Sequence, residues 1–240
     1  MLDRLLKPLH RWVWSDPNRR ALKLLRFSET EADGGRDLAR AAELTRDPSL
    51  RRLYLRHADD EARHAVLFRV RGRALLAALP RSRAALEANW LTPGERGLDD
   101  LRVDEQSEGL LLAFLHLSEK AAASRFTAYQ EVLDCDPETR GVFARILEDE
   151  VFHMSYTRKQ LARVAPRRQG LHLWQARLDR WWKAYLRLAV ALASVLGGVM
   201  LALQYFVVLP LFALLARRAA RREPAGLQPA RAPTPLQSQY

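Results

Sequence analysis

The amino-acid sequence predicts an all-α protein in which four amphipathic helices precede one apolar helix near the C-terminus. Apolar residues recur every three or four positions through most of the first 164 residues. The sequence shows no alternating strand pattern and no Gly-rich phosphate loop. Residues 188–216 carry no charge, and a run of that length can cross a bilayer.

The first two predicted helices form a pair with a short connection. The first covers residues 19–46, which are rich in Leu, Ala and Arg. The second covers 47–79 and begins with Asp47-Pro48, a capping residue followed by a proline in the first turn. A short connection between two helices favours antiparallel neighbours.

The second pair repeats this arrangement. Its helices are predicted over 103–133 and 137–164, and Asp136-Pro137 is the start signal of the latter. The connection between the two pairs, about 80–102, is long and contains the sequence LTPGERG. We therefore predict an antiparallel four-helix bundle over 19–166, built from two helix hairpins with a long crossover.

Residues 188–216 predict a transmembrane helix that anchors the chain in a membrane. A basic and aromatic segment, 167–187, precedes it, and a basic, Pro-rich tail, 217–240, follows and is predicted to be disordered. Basic residues flank both ends, so the positive-inside rule gives a tie. We favour a single tilted crossing with the bundle on the cytoplasmic side. A re-entrant hairpin that bends at Gly197-Gly198 is the alternative.

The net charge of +11 indicates an anionic partner, either a membrane surface or nucleic acid. The arginines are spread along all the helices, which favours membrane lipid and argues against nucleic acid. The N-terminal segment 1–18 has apolar residues at helical spacing beside basic residues and two tryptophans. It is either an interfacial amphipathic helix or a helix packed on the end of the bundle.

One charged hexapeptide occurs twice, as DDEARH at 59–64 and EDEVFH at 148–153. Asp, Glu and His of the two copies are each 89 residues apart. In both copies the Glu and His fall on the apolar stripe of their helix. A carboxylate in such a place costs several kcal/mol unless it is paired or bound to a metal.

The other helix of each pair supplies one more inward glutamate. Glu31 precedes Glu61 by 30 residues, and Glu119 precedes Glu150 by 31. Glu29 is the alternative to Glu31. The predicted ligands of two metal ions are Glu31, Glu61, His64, Glu119, Glu150 and His153.

Four carboxylates balance the charge of two divalent cations, and oxygen ligands with imidazole suit iron or manganese. His57 and His116 are predicted beside the site as supporting or core histidines and not as ligands. Gly34-Gly35 and Ala122-Ala123 follow the single glutamates by about one turn. These small residues either let the helices approach closely or leave room for a small molecule.

This set of residues resembles the ferritin-like superfamily of di-iron carboxylate proteins, over about 19–164. The resemblance implies two iron ions bridged by Glu61 and Glu150, with the remaining ligands terminal. The Asp before each Glu is similar to the Asp-Glu-x-x-His of bacterial multicomponent oxygenases, which implies that Asp60 orients His153 and Asp149 orients His64. Helix-surface charge is the alternative for both Asp residues.

The resemblance and the anchor together lead us to expect a membrane-bound oxidoreductase that activates oxygen or peroxide, with a lipid-soluble substrate. The lone cysteine, Cys135, excludes an intrachain disulfide and a Cys-x-x-Cys electron entry site, so electrons would come from a reductase or a quinone. The alternative is a non-enzymatic protein that binds, senses or buffers iron at the membrane. A homodimer is compatible with either function.

Overall fold

The computed structural model describes residues 6–80 and 103–221, and every regular element within them is helical. The helices are α1 (Lys7–Ser15), α2 (Pro17–Leu44), α3 (Pro48–Ala77), α4 (Glu108–Gln130), α5 (Pro137–Val164), α6 (Gln169–Leu203) and α7 (Leu209–Ala220). A short π-helical segment, Gln204–Val208, joins the last two. The all-α prediction is confirmed for this part of the chain. Nearly all of the predicted crossover connection and most of the predicted tail lie outside the described residues.

Side-chain caps set the start of each of the four long helices that precede α6. Asp16, Asp47, Ser107 and Asp136 each accept a hydrogen bond from a backbone N–H of the first turn. A proline follows each of the three Asp caps, where its missing N–H costs nothing. The caps at residues 47 and 136 are those that the sequence predicts.

Helices α2 and α3 pack along each other in antiparallel directions. Arg51, near the start of α3, donates to the carbonyl of Ala42, near the end of α2, at 3.1 Å. Gly35 makes the approach close, since a Cβ there would lie 3.2 Å from the Ala58 carbonyl oxygen. Of the two expectations for the glycines, close helix contact therefore applies to Gly35. A Cβ on Gly34 would meet only the Glu61 carboxyl group, with the nearest atom, Oε2, at an ordinary 3.7 Å.

Helices α4 and α5 form the second antiparallel pair. His116 Nδ1 lies 3.0 Å from the Met154 carbonyl oxygen, and the rings of Phe126 and Phe143 are 5.1 Å apart. Side chains of α3 and α5 link the two pairs. One link is the 2.9 Å hydrogen bond from Arg71 to the Thr139 hydroxyl.

Two apolar clusters lie above and below a layer of buried polar side chains. Members of the first cluster include Leu38, Tyr54, Leu112, Leu115, Leu161, Leu173 and Ala176. Members of the second include Trp14, Leu24, Phe68, Phe126, Phe143 and Ile146. On each of α2, α3, α4 and α5, the inward glutamate lies in sequence between residues of the two clusters.

Helix α1 packs on the second apolar cluster through Trp14, which is completely buried. The Trp14 ring lies 4.9 Å from Tyr129 and 5.3 Å from Phe143, measured between centroids. Trp12 stays 57% exposed, with the Arg19 guanidinium 4.0 Å from its ring centre. Of the two expectations for the N-terminal segment, the buried Trp14 favours a helix packed on the others.

The chain divides into two compact units, Met1–Ala184 and Tyr185–Tyr240. The first extends past the predicted bundle end at 166, because Leu173 and Ala176 of α6 are buried in its core. One helical run among the described residues, Gln169–Ala220, is long and apolar enough to cross a membrane. It passes through Gly197-Gly198 without a break, in contrast to the hairpin alternative. Residues 217–220, placed in the tail by prediction, continue this run because Ala and Arg are strong helix formers.

Candidate metal centre

Seven side chains of α2, α3, α4 and α5 bring metal-ligand atoms together in the interior. Donor group 1 comprises Glu31, Glu61, His64 and Glu150, and donor group 2 comprises His57, Glu61, Glu119 and His153. Within each group, one donor atom from every residue lies within 4.8 Å of the others. The structure thus brings all six predicted ligands together and adds His57. Glu61 belongs to both groups, so its carboxylate lies where two cations could share it.

Helical spacing places these side chains on the interior face. Glu61 and His64 are one turn apart on α3, as Glu150 and His153 are on α5, so each pair points to the same side. Both histidines are completely buried, and the Glu150 side chain is 1% exposed. Burial of this degree requires compensation for the carboxylate charge.

Each histidine of the repeated hexapeptide is held by an Asp on the facing helix. His153 Nε2 lies 3.0 Å from Asp60 Oδ2, and His64 Nε2 lies 3.1 Å from Asp149 Oδ2. A carboxylate only accepts, so Nε2–H donates and the lone pair is on Nδ1. These are the pairings that the resemblance implies. The arrangement fixes the tautomer that leaves Nδ1 free to bind a metal.

The two Nδ1 atoms provide the test of fit to a cation. Both are buried and have no hydrogen-bond partner among the described residues. His64 Nδ1 is 3.9 Å from Glu150 Oε1, and His153 Nδ1 is 3.9 Å from Glu61 Oε1. These distances exceed a hydrogen bond but suit two atoms on one cation, since ligands at about 2.1 Å from a metal are at most roughly 4.2 Å apart. The residues present therefore fit a metal ion.

The carboxylates are electrostatically strained without a cation. Burial, and then the neighbouring carboxylate of Glu31, raises the pKa of Glu61 well above its ordinary value. Burial, and then Glu119, does the same to the pKa of Glu150. A bound cation would replace the protons that these groups otherwise retain.

Burial keeps the imidazoles of His57 and His153 neutral. Burial is the main cause that lowers the pKa of His57 to about 3 and the pKa of His153 to about 4. A neutral imidazole is the form that binds a metal. The site can therefore present nitrogen donors throughout the physiological pH range.

Arg63 joins the two His–Asp pairs at the edge of the site. Its guanidinium donates to Asp60 Oδ1 at 2.7 Å and to Asp149 Oδ2 at 2.8 Å. Burial alone would raise the pKa of each Asp, but hydrogen bonds from Arg63 and a histidine lower both pKa values below the ordinary range. Sequence reasoning missed this role. The available signal was that Arg63 follows Asp60 by three positions, on the same side of the helix.

His57 lies beside the site, as the sequence predicts, but its place among the donor atoms of group 2 was not predicted. Its Nε2 lies 3.0 Å from Glu61 Oε1 and 3.7 Å from Glu119 Oε1, and its Nδ1 lies 2.7 Å from the Tyr156 hydroxyl. Its ring stacks on His153 with centroids 3.6 Å apart. His57 is thus either a nitrogen donor of group 2 or a hydrogen-bond donor to Glu61. The signal was its position one turn before Glu61 on the interior stripe.

Two candidates from the sequence lie outside both donor groups. Glu29 is 41% exposed and lies 3.7 Å from Arg69, so its charge is balanced at the surface. Glu31, and not Glu29, is the residue that the structure brings to the donor atoms. His116 is half-buried and bonds the Met154 carbonyl, as expected of a core histidine.

The buried Glu and His side chains of this layer can hold a metal ion. Comparison of the chain with protein-family models, with curated proteins and with solved structures finds no match. The chemistry of the site therefore rests on its donor atoms and their surroundings.

Proposed function

We propose that this protein is a membrane-anchored oxidoreductase with a dinuclear iron or manganese centre that activates oxygen or peroxide. In this proposal α2, α3, α4 and α5 form an antiparallel four-helix bundle of the ferritin-like kind. The observation that carries the proposal is the pair of buried His Nδ1 atoms, each facing a carboxylate and each oriented by an Asp from the facing helix. Burying the charges of Asp60 and Asp149 costs free energy, and a metal site explains their presence because metal-bound histidines need such partners.

The donor set favours iron or manganese. The two groups together offer four carboxylates and three imidazoles, and oxygen donors with imidazole suit iron and manganese. Four carboxylates neutralise two divalent cations. When bound, such ions supply redox chemistry toward oxygen or peroxide.

The protein residues divide the remaining tasks. Glu61, common to both donor groups, would help to hold both ions, and Glu150, next to Glu119, would hold an ion in donor group 1. Asp60 and Asp149 hold the imidazoles in orientation, and Arg63 keeps both Asp residues ionised.

The surroundings favour catalysis over metal handling. The donor layer lies between two apolar clusters, which exclude water and suppress side reactions. A protein that stores or passes on iron needs a polar route to its site. The apolar run at 188–216 supports a lipid-soluble substrate and a reductase or quinone as electron donor. We place the bundle on the cytoplasmic side as part of this proposal.

Oxygen and peroxide consumption under continuous reduction tests the function. The purified full chain in detergent, loaded with iron or manganese, should consume many equivalents, and Asp149→Ala should consume less. Glu148→Ala, which alters the exposed neighbour, is the matched control and should behave as wild type. Consumption that stops after one or two equivalents, with several donors and with lipid present, would establish the metal-handling alternative instead.

A further inference from the structure

The first part of α6, residues 169–184, has a second apolar face that nothing in the described chain covers. One face packs on the core through Leu173 and Ala176, which are 8% and 2% exposed. Arg180 on the same side donates to the Leu117 carbonyl. The opposite face consists of Leu171, Trp174, Leu178 and Trp181, which are 51%, 59%, 54% and 78% exposed. We name these four residues the α6 stripe.

The spacing of the α6 stripe indicates what covers it. Its members follow one another by three, four and three residues, the a and d positions of a heptad. The positions that flank the stripe in its first heptad are Gly170, Gln175 and Arg177, so the apolar arc is narrow there. A helix lying on lipid needs a broad apolar arc, whereas a strict a and d stripe is the seam of a coiled coil. In the second heptad the flanking Trp182 is also 58% exposed, so the narrow first heptad is what favours another helix as the occupant.

We propose that the occupant is the α6 stripe of a second copy of this chain, in a parallel homodimer. Two identical stripes pack in a–a and d–d layers about a two-fold axis, so the surface is complementary to itself. Copies anchored in one membrane have the same orientation, which selects the parallel arrangement. The proposal rests on the anchor and does not depend on the metal chemistry.

The charges around the stripe agree with a parallel pair. Arg177 is the single charged residue among the flanking e and g positions of 169–184. In a parallel pair it faces position 182 of the partner, a tryptophan, and an Arg over an indole ring is favourable. Two heptads are a short seam, and confinement to a membrane compensates by raising the effective concentration of the copies.

Cysteine cross-linking in membranes tests the proposal. In a Cys135→Ser background, Leu178→Cys should form a disulfide-linked dimer on mild oxidation. Asp179→Cys, one position along and off the stripe, should remain monomeric. Dimer formation at Leu178 alone supports the parallel seam. Equal cross-linking of the two variants, or none in either, overturns it.

A second measurement separates loss of pairing from loss of folding. The double variant Trp174→Ser, Leu178→Glu changes only exposed side chains and should keep the metal content of wild type. Stepwise photobleaching of labelled chains in lipid vesicles should show two chains per complex for wild type and one for the variant. The same number in both proteins, whether one or two, would overturn the seam. A variant with one chain and full metal content supports it even if the oxidoreductase proposal fails.

Discussion

Replacing Asp60 with alanine should weaken metal binding without unfolding the protein. Asp60 accepts the hydrogen bond that fixes the His153 ring, at 3.0 Å, and its side chain is 10% exposed. Its removal frees the ring to rotate and to change tautomer, so Nδ1 no longer faces Glu61. Arg63 retains Asp149 as a partner, which limits the damage to the edge of the site.

The expected magnitude follows from the bond that is lost. A hydrogen bond to a charged group contributes about 1.5–3 kcal/mol, which corresponds to roughly 10–100-fold in affinity. Partners of metal-bound histidines show the same range. The Asp149 side chain is 27% exposed, so water can replace part of its bond to His64, and Asp149→Ala should lie at the lower end.

Competition with a chelator of known affinity measures the effect on iron or manganese. Asp59→Ala is the matched control, because Asp59 is the adjacent residue on α3 and is exposed. Thermal melting in excess chelator should show both variants folded. Equal metal affinity in Asp60→Ala and Asp59→Ala would refute the orienting role of the His–Asp pair.

Three further results are expected. Glu150→Gln should weaken metal binding by about 10-fold or more, while Glu148→Gln on the exposed face should retain the full metal content, as elemental analysis can show. Because the pKa of Glu150 is raised, metal should be lost as pH falls through that raised value, and loading near neutral pH should release protons to an indicator dye. In metal-free protein the raised pKa of Glu150 contributes stability that is fully present below pH 4.5 and is lost as pH rises through the raised value. Thermal melting should therefore show the largest stabilisation by metal at the high-pH end. A chain ending at Ala184 should keep its metal. A chain ending at Pro166 should lose roughly 2–5 kcal/mol of its free energy of unfolding, because it lacks the α6 residues buried in the core.

Most of the helices could be predicted from the sequence, because the patterns that indicate a helix are local. Helix periodicity reports which face is buried, and Asp-Pro pairs report where a helix begins, as at Asp47 and Asp136. The same periodicity put the glutamates and histidines on interior faces. Ligand candidates could therefore be named without knowledge of which helices touch.

Roles that depend on contacts between helices could not be read in this way. Arg63 bridges carboxylates on α3 and α5, and His57 reaches both Glu61 and Tyr156. A surface arginine and a core histidine have the same local pattern as these two residues. The burial of Leu173 could not be predicted for a similar reason. Helix α6 continues directly into a run that is apolar enough to cross a membrane, so its apolar residues do not by themselves indicate packing on the core.

The repeat in the sequence suggests two equivalent halves, but the structure makes them unequal. Residues 89 positions apart differ around the site: His57 corresponds to Ile146, and Tyr156 corresponds to Leu67. His57 belongs to donor group 2 and Tyr156 is its hydrogen-bond partner. That group has two imidazoles and two carboxylates, whereas donor group 1 has one imidazole and three carboxylates. Two ions in these places would differ in affinity and in redox behaviour, because ligand type sets both. A buffer that takes up and releases identical ions gains nothing from this difference. A catalyst benefits from the difference, because one ion would be held firmly while the other would be available to oxygen or peroxide. The inequality of the two donor groups is therefore a further argument for the proposed enzyme.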